Sequence, residues 1–283
     1  VGRLSSRAAL EARVRAGQKG LVPYLTAGFP DWDRFDAAVH TLAENGADVL
    51  ELGIPFSDPL ADGPTIQRSS QLALEAGVTL EAILEHVARN SEAWGIPIVF
   101  MTYLNPILAY GVERFCDDAV EAGVSGLLLS DLPPEELPEL WQSLQKSKIE
   151  TTLLVAPTTV PERAKYLAQT ATGFVYCISR TGVTGQGSGY AANLTEQVAL
   201  VRAATSLPAL VGFGIRSAED AKRIGPIADG VVIGARLIEL LSDAPTPAVA
   251  KSRLAEFTRG VRQSLDSLSA ASTGTSTSQE PPS

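Results

Sequence analysis

Eight short apolar runs, near residues 21, 49, 97, 127, 152, 174, 209 and 231, punctuate this chain. A Gly-, Pro- or Asp-rich turn follows each run, and an amphipathic stretch comes after it. The runs are almost continuously apolar instead of alternating, which is the pattern of parallel strands covered by helices on both faces. Eight strand–helix units within about 220 residues fit a closed (β/α)8 barrel, the TIM-barrel architecture, better than an open doubly wound sheet, which needs no such regular count.

The connecting stretches follow the 3.6-residue period. Residues 5–16 predict an extra N-terminal helix with Leu10 and Val14 on one face. Residues 33–45 predict another, with Phe35, Val39, Leu42 and Ala43 as its stripe and Gly46 as its stop. Pro161 suits a first helical turn. Ser217, with Asp220 three residues later, reads as a capping box. Tyr103-Leu104-Asn105-Pro106 reads as a turn, and His40 and His86 as surface or boundary residues of helices. No internal linker divides the chain. Residues 1–266 are therefore expected to form one barrel domain closed by a helix over 248–266, with 267–283 as a disordered tail.

Composition narrows the function. A net charge of −9 and a pI near 4.9 speak against a nucleic-acid partner. No run of 18 apolar residues predicts a membrane span, and the first 17 residues lack the apolar core of a secretory signal. Cys116 and Cys177 have no metal-site or disulfide spacing, which fits a reducing cytoplasmic setting, or a plastid stroma after removal of a transit peptide. With two histidines, both in predicted helices, neither a His-based metal centre nor a Ser–His–Asp triad is expected. No lysine ends strand six to serve a Schiff-base aldolase, and no Walker or dinucleotide fingerprint is present.

The chemistry is expected in the loops after the strands, which share one face of such a barrel. The second run carries Glu51 among Val49, Leu50 and Leu52, and the longest loop follows it, with Asp58 and then Asp62 in Ala61-Asp62-Gly63-Pro64. A buried Glu has a raised pKa and can exchange protons near neutrality. The alternatives are an ion-paired structural acid at Glu51, a helix cap at Asp62 and a turn at Asp58. Gly212 and Gly214 after strand seven, and Gly234 before a helix after strand eight, expose backbone N–H groups suited to a phosphate; simple tight turns are the competing reading. Gly182, Gly185, Gly187 and Gly189 suggest a flap after strand six. Tyr24, Phe100, Leu128, Tyr176 and Phe213 could floor an apolar slot, although parity alone does not say which of them face it.

In order along the chain stand LVPYLTAGFP at 21–30, LELGIPFSDPLADGP at 50–64, MTYLNP at 101–106, SDLPPEE at 130–136, SRTGVTG at 179–185 and VGFGI at 211–215. This series resembles the tryptophan synthase alpha subunit family over roughly residues 5–262. The resemblance implies retro-aldol cleavage of indole-3-glycerol phosphate to indole and glyceraldehyde 3-phosphate, without cofactor or metal. It implies Glu51 as acid/base and Asp62 against the indole N–H. Tyr24, Thr102, Leu128, Tyr176, Thr184 and Phe213 would contact substrate, and Gly185, Gly214, Gly234 and Ala235 its phosphate. One departure stands out: the family pattern after strand eight runs Gly-Ser, and here it is Gly234-Ala235, one hydroxyl fewer, which water or Arg236 could replace. The resemblance also implies a pyridoxal-phosphate beta subunit as partner in an alpha-beta-beta-alpha complex, docked on residues 55–62, Asn105 and Pro133-Pro134. A stand-alone lyase, a non-catalytic phosphate-ligand-binding barrel and another phosphate-handling isomerase or aldolase are the alternatives.

Overall fold

A computed structural model describes residues 3–179, 193–212 and 214–273, the side chains of 269–273 excepted. Eight parallel strands close on themselves in sequence order: β1 (Gly20–Thr26), β2 (Leu50–Gly53), β3 (Ile98–Thr102), β4 (Val124–Leu129), β5 (Glu150–Val155), β6 (Val175–Ile178), β7 (Ala209–Gly212) and β8 (Gly230–Ile233). β8 returns to β1 with Leu21 opposite Val231 and Pro23 opposite Ile233. Nearly every strand residue is buried, as the continuous apolar runs require.

Helices fill each crossover. α1 (Ser6–Arg15) precedes the barrel and α2 (Trp32–Glu44) follows β1. α3 (Pro64–Glu75) and α4 (Leu80–Trp94) follow the loop 54–63 after β2; α5 (Leu104–Tyr110) and α6 (Val112–Glu121) follow β3. α7 (Pro138–Lys146), α8 (Pro161–Thr170), α9 (Leu194–Ala204), α10 (Ala218–Ile224), α11 (Ala235–Ser242) and α12 (Pro247–Thr273) complete the ring. Side-chain oxygens of Ser5, Asp31, Thr79 and Ser217 accept N–H groups of α1, α2, α4 and α10, so these starts are written locally. Among the described residues, no helix is long and apolar enough to cross a membrane.

Four details differ from the sequence reading. Leu10 is buried, but Val14 of the same helix is exposed. Tyr103–Pro106 is not a plain turn, because α5 starts at Leu104, whose N–H is accepted at 2.9 Å by Asp131 from the end of the next strand. His86 is buried: its ring stacks on Trp32 at 4.1 Å, and its Nε2 lies 2.8 Å from Asp36 Oδ1. Finally, α12 runs on beyond residue 266 to Thr273.

The end of the barrel before the strands is tied by charge. Asp48, just ahead of β2, accepts Leu21 N–H at 2.8 Å and the guanidiniums of Arg13 at 2.5 Å and Arg262 at 3.3 Å. One carboxylate thus fastens α1 and α12 to the barrel floor, away from the strand ends where the chemistry is expected.

Candidate active site

Glu51 sits within β2, opposite Tyr24 of β1 and Val99 of β3, with 1% of its surface exposed. Among the described residues it makes no ion pair, and its Oε1 is buried without a hydrogen-bond partner. Among the described residues the structural-acid alternative therefore has no cation to support it. Burial, with the charge of Asp62 adding to it, pushes its pKa up to about 8. At neutral pH Glu51 is mostly the protonated acid.

Asp62 ends the long loop. α3 begins with Gly63 at its cap and no side-chain cap bond, so Asp62 does not cap that helix. Instead its Oδ2 accepts the Tyr103 hydroxyl at 3.0 Å, and that hydroxyl in turn accepts Ala61 N–H at 3.0 Å. Gln67 Nε2 donates to the Asp62 carbonyl at 2.9 Å and steadies the loop from α3. Burial raises the Asp62 pKa to about 6, with the Tyr103 hydrogen bond holding it back. The two acids thus differ: near pH 7 Glu51 holds its proton and Asp62 does not. Asp58 is exposed in the same loop and does not reach them.

Both acids open onto one cavity of about 580 Å3, a size suited to a small ligand. Tyr24, Ile66, Met101, Tyr176, Ile215 and Val232 give it apolar walls; Gly214, Gly234 and Ala235 line it as well. Glycine is required around the two tyrosines. A Cβ at Gly53 would lie 1.9 Å from the Tyr24 hydroxyl, and one at Gly212 would lie 2.1 Å from that of Tyr176. Gly212 therefore makes room for a ring and is not itself in the cavity wall. Gly214 has φ +93, a backbone that other residues rarely adopt. Gly234 immediately precedes α11, whose first N–H groups have no side-chain cap.

Of the residues named from sequence, Tyr24, Glu51, Asp62, Tyr176, Gly214, Gly234 and Ala235 converge on this cavity. Thr102 and Leu128 are buried beside it without lining it; Met101, opposite Leu128 in register, reaches it instead. Phe100 is core. Thr184, Gly185 and the rest of the glycine-rich segment, as well as Phe213, lie outside the described residues. Arg236 does not line the cavity, whereas Arg216 and Glu239, both passed over in the sequence, do. Available signals were the placement of Arg216 directly after the strand-seven turn and the position of Glu239 one helical turn after Ala235. Tyr103 was read only as part of a turn, not as the partner of Asp62. No cluster of three or more metal-ligating side chains occurs among the described residues.

A closed (β/α)8 barrel with a cavity at its strand ends and two buried carboxyl groups in the cavity wall has the layout of an enzyme. The family model described as tryptophan synthase alpha chain matches residues 10–266. The chain belongs to the tryptophan synthase alpha chain family, and it is a carbon–carbon lyase. It is 48% identical over 259 residues to the tryptophan synthase alpha chain of Laribacter hongkongensis, covering 91% of this chain and 97% of that one. To that of Geobacter sulfurreducens it is 45% identical over 248 residues, covering 88% and 94%. The solved tryptophan synthase alpha chain from Legionella pneumophila superimposes with a TM-score of 0.82 at 36% identity, covering 95% and 98%. A solved Mycobacterium tuberculosis tryptophan synthase chain gives 0.83 at 35% identity, covering 92% and 97%.

Proposed function

We propose that this chain cleaves indole-3-glycerol phosphate into indole and glyceraldehyde 3-phosphate as the alpha subunit of a tryptophan synthase. The observation that carries this reading is that two buried carboxyl groups, Glu51 with no ion pair among the described residues and Asp62 held by the Tyr103 hydroxyl, line one cavity with apolar walls. The carbon–carbon bond breaks once indole C3 is protonated, because the ring then becomes a cationic electron sink. Glu51 supplies that proton as general acid. Asp62 accepts the indole N1–H and stabilises the positive charge that develops there. A base then removes the proton of the glycerol hydroxyl next to the scissile bond. The bond electrons return to the ring, releasing indole and the aldehyde. Glu51, left as carboxylate, takes that proton and is regenerated, so the proton count closes without a co-reactant.

Tyr24, Met101, Tyr176 and Val232 form the apolar bed for the indole ring, and Gly214, Gly234 and the uncapped N–H groups of α11 receive the phosphate. Thr184, Gly185 and Phe213 belong to the same proposal as substrate and phosphate contacts. A beta subunit as partner has its own support. The outer side of loop 54–63 forms a second hollow with Phe56, Leu60, Tyr103 and Asn105, and Leu60 is 87% exposed there. A free apolar side chain of that size beside an active-site loop suits a docking face.

The test is direct. The purified chain is incubated with indole-3-glycerol phosphate, alone and with a tryptophan synthase beta subunit, and indole and aldehyde are assayed. Equimolar products, faster with the beta subunit, are expected. Tight substrate binding without cleavage would leave only a binding barrel, and fast cleavage indifferent to the beta subunit would indicate a stand-alone lyase.

A further inference from the structure

The cavity presents an imbalance of charge. Its wall includes the carboxylates of Asp62 and Glu239 as well as Glu51, and among the described residues Arg216 is its one cationic side chain. Ala235 brings a backbone N–H and no side-chain donor. A phosphate monoester carries close to two negative charges at neutral pH. Backbone dipoles alone would have to hold it beside Glu239.

Arg216 is placed to change that. It follows Gly214 and Ile215 after β7, and its backbone N–H is fixed at 3.0 Å on Asp220 Oδ2 of α10. Its Nη2 donates to both oxygens of Glu239, at 2.8 and 2.6 Å. Arg236 approaches the same carboxylate at 3.3 Å from the side facing a separate hollow. Only one nitrogen of the Arg216 guanidinium is used in this way. Its Nη1 and Nε bond nothing among the described residues, so N–H donors of the guanidinium beyond the one held by Glu239 can meet a phosphate oxygen. Glu239 stands one helical turn beyond Ala235 on α11, so the helix that offers its N–H groups also holds the arginine in place.

We propose that Arg216 binds the phosphate of the substrate, with Glu239 as its positioning residue, and so supplies the side-chain contact that Ala235 lacks. This rests on the reading of the cavity as a site for a phosphorylated indole substrate, but it can be tested apart from that reading. The probe for the separate test is glycerol 3-phosphate, titrated calorimetrically into the full chain; the coupled test is steady-state cleavage of indole-3-glycerol phosphate.

Arg216→Gln is expected to weaken glycerol 3-phosphate about ten- to a hundredfold, the range set by losing a charged hydrogen bond. KM should rise by a similar factor, with the loss falling on KM more than on kcat. Arg216→Lys should recover part of the affinity, since it keeps the charge and loses the guanidinium donors held in place by Glu239. Adding Ala235→Ser to Arg216→Gln should also restore part of it. Unchanged glycerol 3-phosphate affinity in a folded Arg216→Gln protein overturns the proposal. So does an equal loss for indoleglycerol, which has no phosphate. If the wild type binds glycerol 3-phosphate through Arg216 but cleaves nothing, the phosphate anchor stands and the lyase reading fails.

Discussion

Replacing Glu51 by Gln should change how stability depends on pH, and the size of the effect follows from burial. In the unfolded chain this carboxyl titrates near its ordinary value of 4.5, and in the fold near 8. Between those values the folded state holds the proton that the unfolded state has released. The contribution of this group to stability is complete below about pH 4.5 and is lost as pH rises toward 8. The slope approaches about 1.4 kcal/mol per pH unit and the total is roughly 5 kcal/mol. The substituted glutamine cannot titrate, and its buried amide adds an offset that does not vary with pH. The slope is therefore the readout. Urea denaturation of both proteins at unit steps from pH 5 to 9 gives it, because the other groups titrate alike and cancel to first order. The stability of wild type relative to the variant should fall by roughly 4 kcal/mol across that range. Two profiles separated by a constant would refute the idea that burial holds a proton on Glu51.

Other consequences follow from the same residues. The pH profile of kcat/KM should be a bell, falling above about 8 as Glu51 ionises and below about 6 as Asp62 protonates. Tyr103→Phe removes the hydroxyl that restrains the Asp62 pKa, so the acidic limb of that bell should move to higher pH while the basic limb stays. Gly212→Ala drives a methyl against the Tyr176 ring, and should raise KM through a displaced cavity wall; a KM equal to wild type would show that the ring has room to move. Asp48→Ala leaves Arg13 without its carboxylate, Arg262 with Asp266 alone and the buried Leu21 N–H without its acceptor. It should cost about 1–3 kcal/mol in denaturant titration and spare kcat.

Much of the barrel was legible because a parallel strand buried on both sides is written as an uninterrupted apolar run. All eight runs became strands in chain order. What stayed hidden depended on partners distant in sequence. α5 was missed because its first N–H is capped by Asp131 from the far end of β4, and because Pro106 reads as a breaker although it lies in a first turn, where proline is tolerated. His86 looked peripheral since no local pattern announces a stack on Trp32. At the site, Glu51 was visible as an acid in an apolar strand, but that no described residue supplies it a counter-ion is a property of the packed barrel. Gly212 reads as the turn after strand seven; only the closed structure shows that Gly53 and Gly212 clear space for the Tyr24 and Tyr176 rings on neighbouring strands. Arg216 was overlooked because its significance comes from Glu239, 23 positions away.

The claim on which catalysis depends is that a protonated Glu51 coexists with an ionised Asp62. Infrared difference spectra of wild type against Glu51→Gln, followed from pH 5 to 10, measure that carboxyl group directly. A protonated-carboxyl band present at neutral pH, absent from the variant and titrating near 8, is the result expected here. No such band at pH 7, or one that titrates near 4.5, would contradict it.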